Sequence, residues 1–153
     1  NPQRITEHLP FKLITLDVTD ATTITAAVDA IIKEEGRLDI VINNAGVGIT
    51  GPLEETPDVE IKNAFQTNVF GPLDVIKAAL PQMRKQGSGL IINVTSIAGY
   101  MGLPYRGVYS ATKGTLELLT EALRMEIKDF KKYEKFDKKS SVTHWEKNST
   151  LDC

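Results

Sequence analysis

Gly89-Leu-Ile-Ile-Asn-Val-Thr-Ser-Ile-Ala-Gly-Tyr-Met-Gly-Leu-Pro-Tyr-Arg-Gly-Val-Tyr-Ser-Ala-Thr-Lys113 decides how the rest of the chain is read. Leu90 to Val94 is an apolar, β-branched run between Gly87-Ser-Gly89 and Thr95-Ser96, the pattern of a short buried strand. From about Val108 the period changes, and Leu116, Leu119, Leu123 and Ile127 recur at helical spacing, which predicts a helix from about Val108 to Phe130. Ser96 falls at the strand end. Tyr109 and Lys113 lie one helical turn apart and share a face. An ammonium beside a phenol can lower its pKa from about 10 toward working pH. Tyr109 is therefore a candidate general acid or base, with Ser96 as a hydroxyl donor.

Working outward, strands and helices alternate. Lys12-Leu-Ile-Thr-Leu16 is β-rich and predicts a first strand, and Asp20 then stands as N-cap of a helix bearing Ile24, Val28, Ile31 and Ile32, with Gly36 ending it. Asp39 to Ile42 predicts a second strand, followed by a Gly-containing loop to Pro57. Ile61, Phe65, Val69, Leu73, Ile76, Leu80 and Met83 keep near-helical spacing, interrupted by Pro72 and Pro81, which kink or divide that helix. Short apolar strands alternating with helices specify a parallel, doubly wound α/β sheet with helices on both faces. Such sheets bind ligands beyond the carboxyl ends of their strands. Asp17, Asn44, Gly46 and Ser96 all fall at such ends.

Composition narrows the function classes. The 153 residues suffice for one domain with a core, the net charge is −2, and 41% hydrophobic and 25% charged residues are ordinary for a globular protein. The Lys-rich stretch 131–139 is interspersed with Glu134 and Asp137 and reads as a solvated face, so no nucleic-acid partner is expected. No apolar run approaches a membrane span of roughly 20 residues. The single Cys153 fits a reducing, cytoplasmic setting. His8 and His144 lack ligand-spaced companions, and no metal site is expected.

The ordered set Asp39-Ile-Val-Ile-Asn-Asn-Ala-Gly46, Gln66-Thr-Asn-Val-Phe-Gly-Pro72, Gly89 to Ser96, and Tyr109 with Lys113 resembles the short-chain dehydrogenase/reductase family from about Phe11 to Phe130. The resemblance implies a Rossmann-like fold of which this chain lacks the first βαβ unit, with its Thr-Gly-x-x-x-Gly-x-Gly phosphate-binding turn; the chain is expected to be part of a longer one. Residues 1–130 then form a partial Rossmann-type domain. Residues 131–153 are either a polar helical tail or a discontinuous remainder, with a chain break at or near Phe130–Lys131.

The resemblance also implies roles. Tyr109 exchanges a proton with the substrate oxygen, Ser96 hydrogen-bonds that oxygen, Lys113 lowers the Tyr109 pKa and holds the nicotinamide ribose, and Asn68, in a distorted helix, positions a water. Asp17 and Val18 lie along the adenine of NAD or NADP, and Asn44, Ala45 and Gly46 along the neighbouring ribose. The implied activity is interconversion of a secondary alcohol and a ketone. A homodimer or homotetramer through the two long helices is implied as well. The competing reading is a non-catalytic scaffold on the same fold. Singly, each residue also has a plain reading: Ser96 as a turn cap, Asp17 as a turn-former, Asn68 as a bridge between elements.

Overall fold

The computed structural model describes residues 11–128 and 141–146. The order is α1 (Ala21–Glu35), β1 (Ile40–Asn43), α2 (Asp58–Phe65), a π-helical turn (Gln66–Phe70), α3 (Gly71–Gln86), β2 (Ser88–Asn93), a 3-10 turn (Ile97–Gly99), α4 (Gly107–Lys128) and β3 (Ser141–Glu146). Helix ends follow local chemistry. The Asp20 carboxylate accepts the Thr22 N–H at 2.8 Å at the start of α1, and Gly36, at φ 73°, closes it by donating its N–H to Ile32 O. Pro72 sits at the start of α3, directly after the π-helical turn, and the helical path from α2 runs on through it. Pro81 lies within α3, which continues through it.

β1 and β2 pair in parallel, Val41 beside Ile91 and Asn43 beside Asn93. Side chains alternate across a sheet, so Val41, Asn43, Ile91 and Asn93 share one face and Ile40, Ile42, Leu90 and Ile92 the other. The first face carries the core: Val28 of α1, Ile76, Ala79, Leu80 and Met83 of α3, Ile127 of α4 and Leu38 close around Ile91, with Val41 packed against them. Ile40 and Ile42, on the second face, are 55% and 60% exposed. The described helices thus cover one face of the sheet. An open cavity of about 280 Å³ at the β1 end is lined by Leu16, Val18, Ile31, Ile40, Ile42 and Val75 among others.

Two expectations change. Lys12–Leu16 joins no ladder. A strand needs a hydrogen-bonded neighbour, and the described residues offer it none. Beyond Phe130 the sequence suggests no strand, yet Ser141–Glu146 pairs antiparallel with β2, Leu90 opposite His144. Its Val142, Thr143 and Trp145 are strand-favouring residues, and the free edge of β2 is a template for them. The expected chain break at 130–131 lies outside the described residues.

A buried polar bridge ties the strand ends to α4. Asn43 Nδ2 donates to Asn93 Oδ1 at 2.8 Å, Asn93 Nδ2 donates to Thr120 Oγ1 at 2.8 Å, and Thr120 donates to Leu116 O at 2.6 Å. Asn93 is 2% and Thr120 1% exposed. Removing the middle group strands two buried partners, each at a cost of about 1–3 kcal/mol. Asn93→Ala is expected to lower the stability of the full chain by about 2–5 kcal/mol in urea denaturation with an unchanged slope. A loss below about 1 kcal/mol would show that the bridge contributes little.

Candidate active site

The site is assembled where β2 ends and α4 begins. Ser96, extended at φ −155° and ψ 153°, caps the 3-10 turn by accepting the Ala98 N–H at 3.2 Å. Its hydroxyl proton stays available to donate, so capping and a site role are compatible. The 3-10 turn lies directly on α4 because both surfaces are glycine. A Cβ on Gly114 would come 2.9 Å from Gly99 O, and one on Gly99 would come 3.0 Å from the Lys113 carbonyl carbon.

Tyr109 is half-buried in the first turn of α4, and the Lys113 ammonium lies 5.9 Å from the centre of its ring. Lys113 is 5% exposed and donates to Val94 O at 2.7 Å, anchoring the helix to the end of β2. Burial holds its pKa below the usual lysine range, because the charged form loses hydration.

Asn68 sits in the π-helical turn, fully buried. Its Oδ1 accepts the Val47 N–H at 2.8 Å, and its Nδ2 donates to Val47 O at 2.9 Å and to Thr112 Oγ1 at 3.1 Å. This grip fixes the loop after β1 so that Gly46 faces the ammonium. A Cβ on Gly46 would come 3.3 Å from Asn68 Oδ1 and 3.6 Å from Lys113 Nζ. The bare glycine thus leaves a space beside the ammonium.

The structure therefore joins Gly46, Asn68, Tyr109 and Lys113 directly, with Ser96 carried in on the adjoining turn. Val18, Asn44 and Ala45 line the cavity at the β1 end. Val18 is seated against α3 at Gly71, where a Cβ would come 2.9 Å from the Val18 carbonyl oxygen. Asp17 also shapes the local chain. Its carboxylate accepts from the Thr19 N–H at 2.8 Å and the Thr19 hydroxyl at 2.7 Å, and those bonds lower its pKa. Asp17 is thereby the local turn-former of its plain reading. Sequence reasoning missed Val94, Asn93, Thr112 and Thr120. Asn93, a polar residue inside an apolar strand, was the signal open to it; Val94 acts through its backbone, which no residue type announces.

The family model for short chain dehydrogenases matches residues 3–131. The 3-ketodihydrosphingosine reductase of Bacteroides thetaiotaomicron is 46% identical over 119 residues, covering 78% of this chain and 44% of that protein. A short-chain dehydrogenase structure from Streptomyces avermitilis superposes with a TM-score of 0.74 at 41% identity, over 76% of this chain and 43% of that one. ElxO with NADP bound gives 0.73 at 36% identity, over 75% and 47%. The chain belongs to the short-chain dehydrogenase family. It spans about half the length of the curated relatives it matches. Solved members carry NADP or NAD+, and NAD or NADP is the cofactor class that accompanies this membership.

The glycine contact between turn and helix yields a test. Alanine is the better helix former by about 1 kcal/mol, but at position 114 its methyl meets a backbone oxygen. Gly114→Ala is expected to destabilise the chain by about 1–3 kcal/mol, seen as a lower urea midpoint. A midpoint at or above wild type would refute the close contact.

Proposed function

We propose that the protein is an NAD(P)-dependent oxidoreductase that interconverts a secondary alcohol and a ketone. The observation that carries this reading is the buried Lys113 ammonium, held on Val94 O within 5.9 Å of the Tyr109 ring and beside the space left by Gly46. A charge so placed meets the needs of proton exchange at an adjacent phenol. The relative named as a ketodihydrosphingosine reductase supports a ketone as the group reduced.

The donor set fits the cofactor class. Among the described residues the Lys113 ammonium makes one hydrogen bond, and its further N–H groups suit the ribose hydroxyls of a dinucleotide. Val18 offers an apolar contact for the adenine, with Asp17 shaping the turn before it, and Asn44 and Ala45 line the same cavity on the side of the neighbouring ribose. When bound, the nicotinamide supplies or accepts the hydride. The Tyr109 phenol gives its proton to the substrate oxygen in reduction and takes it back in oxidation. The Ser96 hydroxyl donates to the same oxygen as negative charge builds there. Lys113 steadies the charge left on the phenol oxygen. The Asn68 carboxamide is committed to Val47 and Thr112, so a water positioned at this turn is held by backbone that the wider π-helical turn frees.

Assembly follows from surfaces on the π-helical turn, α3 and α4. Leu118 is 68%, Met125 62% and Phe70 49% exposed, whereas Leu116 is 2% exposed, which divides the apolar residues between core and an outer face. A cleft between the two helices is lined by Leu73, Ile76, Leu119 and Leu123. A two-fold pairing of these helices into a homodimer or homotetramer, burying about 1,200 Å² or more, covers that face. The lone cysteine supports a cytoplasmic setting, and no described helix is long and apolar enough to cross a membrane.

Tyr109→Phe keeps the ring and removes the acid. Turnover of the full-length protein with NAD(P) and a ketone is expected to fall by roughly 10²-fold or more, with cofactor affinity nearly unchanged; near-normal turnover would refute the mechanism. Light scattering at micromolar concentration is expected to report a dimer or tetramer, and a clean monomer would remove the assembly.

A further inference from the structure

Threonines inside helices ordinarily return their hydroxyl proton to a carbonyl of their own helix. Thr25 does so to Ala21 O at 3.0 Å and Thr115 to Ala111 O at 2.8 Å. Two threonines of α4 do more. Thr120 donates to Leu116 O and accepts from Asn93 of β2, and Thr112 donates to Tyr109 O at 2.8 Å and accepts from Asn68 of the π-helical turn at 3.1 Å. Both are essentially inaccessible, at 0% and 1% exposure for Thr112 and Thr120. The Thr112 junction falls between Tyr109 and Lys113.

The direction of the Thr112 bond has a consequence. A hydroxyl carries one proton, and this one is given to the Tyr109 carbonyl, so only lone pairs face Asn68. The carboxamide must therefore turn its NH2 toward Thr112. That leaves Oδ1 to receive the Val47 N–H and the second amide proton for Val47 O, as observed. The flipped carboxamide would set NH2 against the Val47 N–H and its oxygen against the Val47 carbonyl oxygen, and Thr112 could meet that oxygen only by giving up its bond to Tyr109 O. The orientation in which Asn68 grips both polar groups of Val47 is therefore also the one that serves Thr112, and the Thr112 hydroxyl reinforces the grip that sets Gly46 beside the Lys113 ammonium.

We propose that Thr112 is a positioning residue whose hydroxyl, joining the Tyr109 carbonyl to the Asn68 carboxamide, holds the π-helical turn and the Gly46–Val47 loop in register with the Tyr109–Lys113 turn. The kinetic part of this assignment rests on the oxidoreductase reading. The structural part does not.

The test compares Thr112→Val, which keeps the shape and removes the hydroxyl, with Thr112→Ser, which keeps the hydroxyl, in the full chain. Hydrogen exchange of the Asn68 side-chain amide, followed by 15N–1H spectra, needs no turnover. It is expected to quicken about 10-fold or more in Thr112→Val, the scale of losing one buried acceptor, and to stay near wild type in Thr112→Ser. In steady state, Thr112→Val is expected to lose roughly 10-fold in kcat with KM within about threefold, and Thr112→Ser to recover most of it. Unchanged exchange and kcat in Thr112→Val would overturn the assignment. So would a Thr112→Ser protein as impaired as Thr112→Val, since packing of the methyl would then be the cause. If Thr112→Val does not fold, Thr112→Ser decides alone: Asn68 protected as in wild type supports the assignment, and Asn68 released overturns it. Normal turnover in Tyr109→Phe would strike the oxidoreductase reading instead, and the exchange comparison would still decide the role of Thr112.

Discussion

A buried ammonium on a backbone carbonyl is the constraint around which the site is arranged. Lys113 is nearly removed from water, and its bond to Val94 O provides part of what hydration would have supplied. For that bond to form, the helix must pass within reach of the strand end. Glycine on both sides allows it: Gly99 and Gly114 bring the 3-10 turn onto α4, and Gly46 lets the loop after β1 come beside the ammonium. A methyl at any of these three positions would collide with, or crowd, the arrangement that carries the charge.

Polar side chains, rather than apolar packing, set the register of these elements. The core around Ile91 holds α1, α3 and α4 on one face of the sheet, but hydrophobic contact is non-directional and tolerates small slides. The Asn43–Asn93–Thr120 bridge and the Val47–Asn68–Thr112–Tyr109 chain are directional, and their linking side chains, Asn93, Thr120, Asn68 and Thr112, are buried. A buried amide left without a partner is costly, so each chain penalises displacement of the strand end or loop that it holds. The two chains run from one helix face to two different parts of the site.

The open face of the sheet has a different character. Ile40 and Ile42 are large, apolar and more than half exposed, and the cavity at their end is lined almost wholly by apolar side chains. In a parallel sheet both faces are ordinarily covered. The described residues supply the helical layer on one side, which fits a chain spanning about half the length of its relatives.

Much of this was legible in the residues themselves. The alternation of apolar strands with helical stripes, the Asp20 and Gly36 caps, and the one-turn spacing of Tyr109 and Lys113 are local patterns, and local patterns are what a sequence displays. Asn68 could be singled out because asparagine is a poor choice in a helix interior. What the residues by themselves could not decide depended on neighbours. Lys12–Leu16 has strand composition but no ladder partner among the described residues, and Ser141–Glu146 becomes a strand because the edge of β2 receives it. One carboxylate oxygen of Asp17 accepts from both the N–H and the hydroxyl of Thr19. Thr112 is an ordinary helix residue until Asn68, forty-four positions away, donates to it. Hydrogen bonding between distant segments and the pairing of strand edges are properties of the folded arrangement, because each needs a partner that only chain closure brings within about 3 Å.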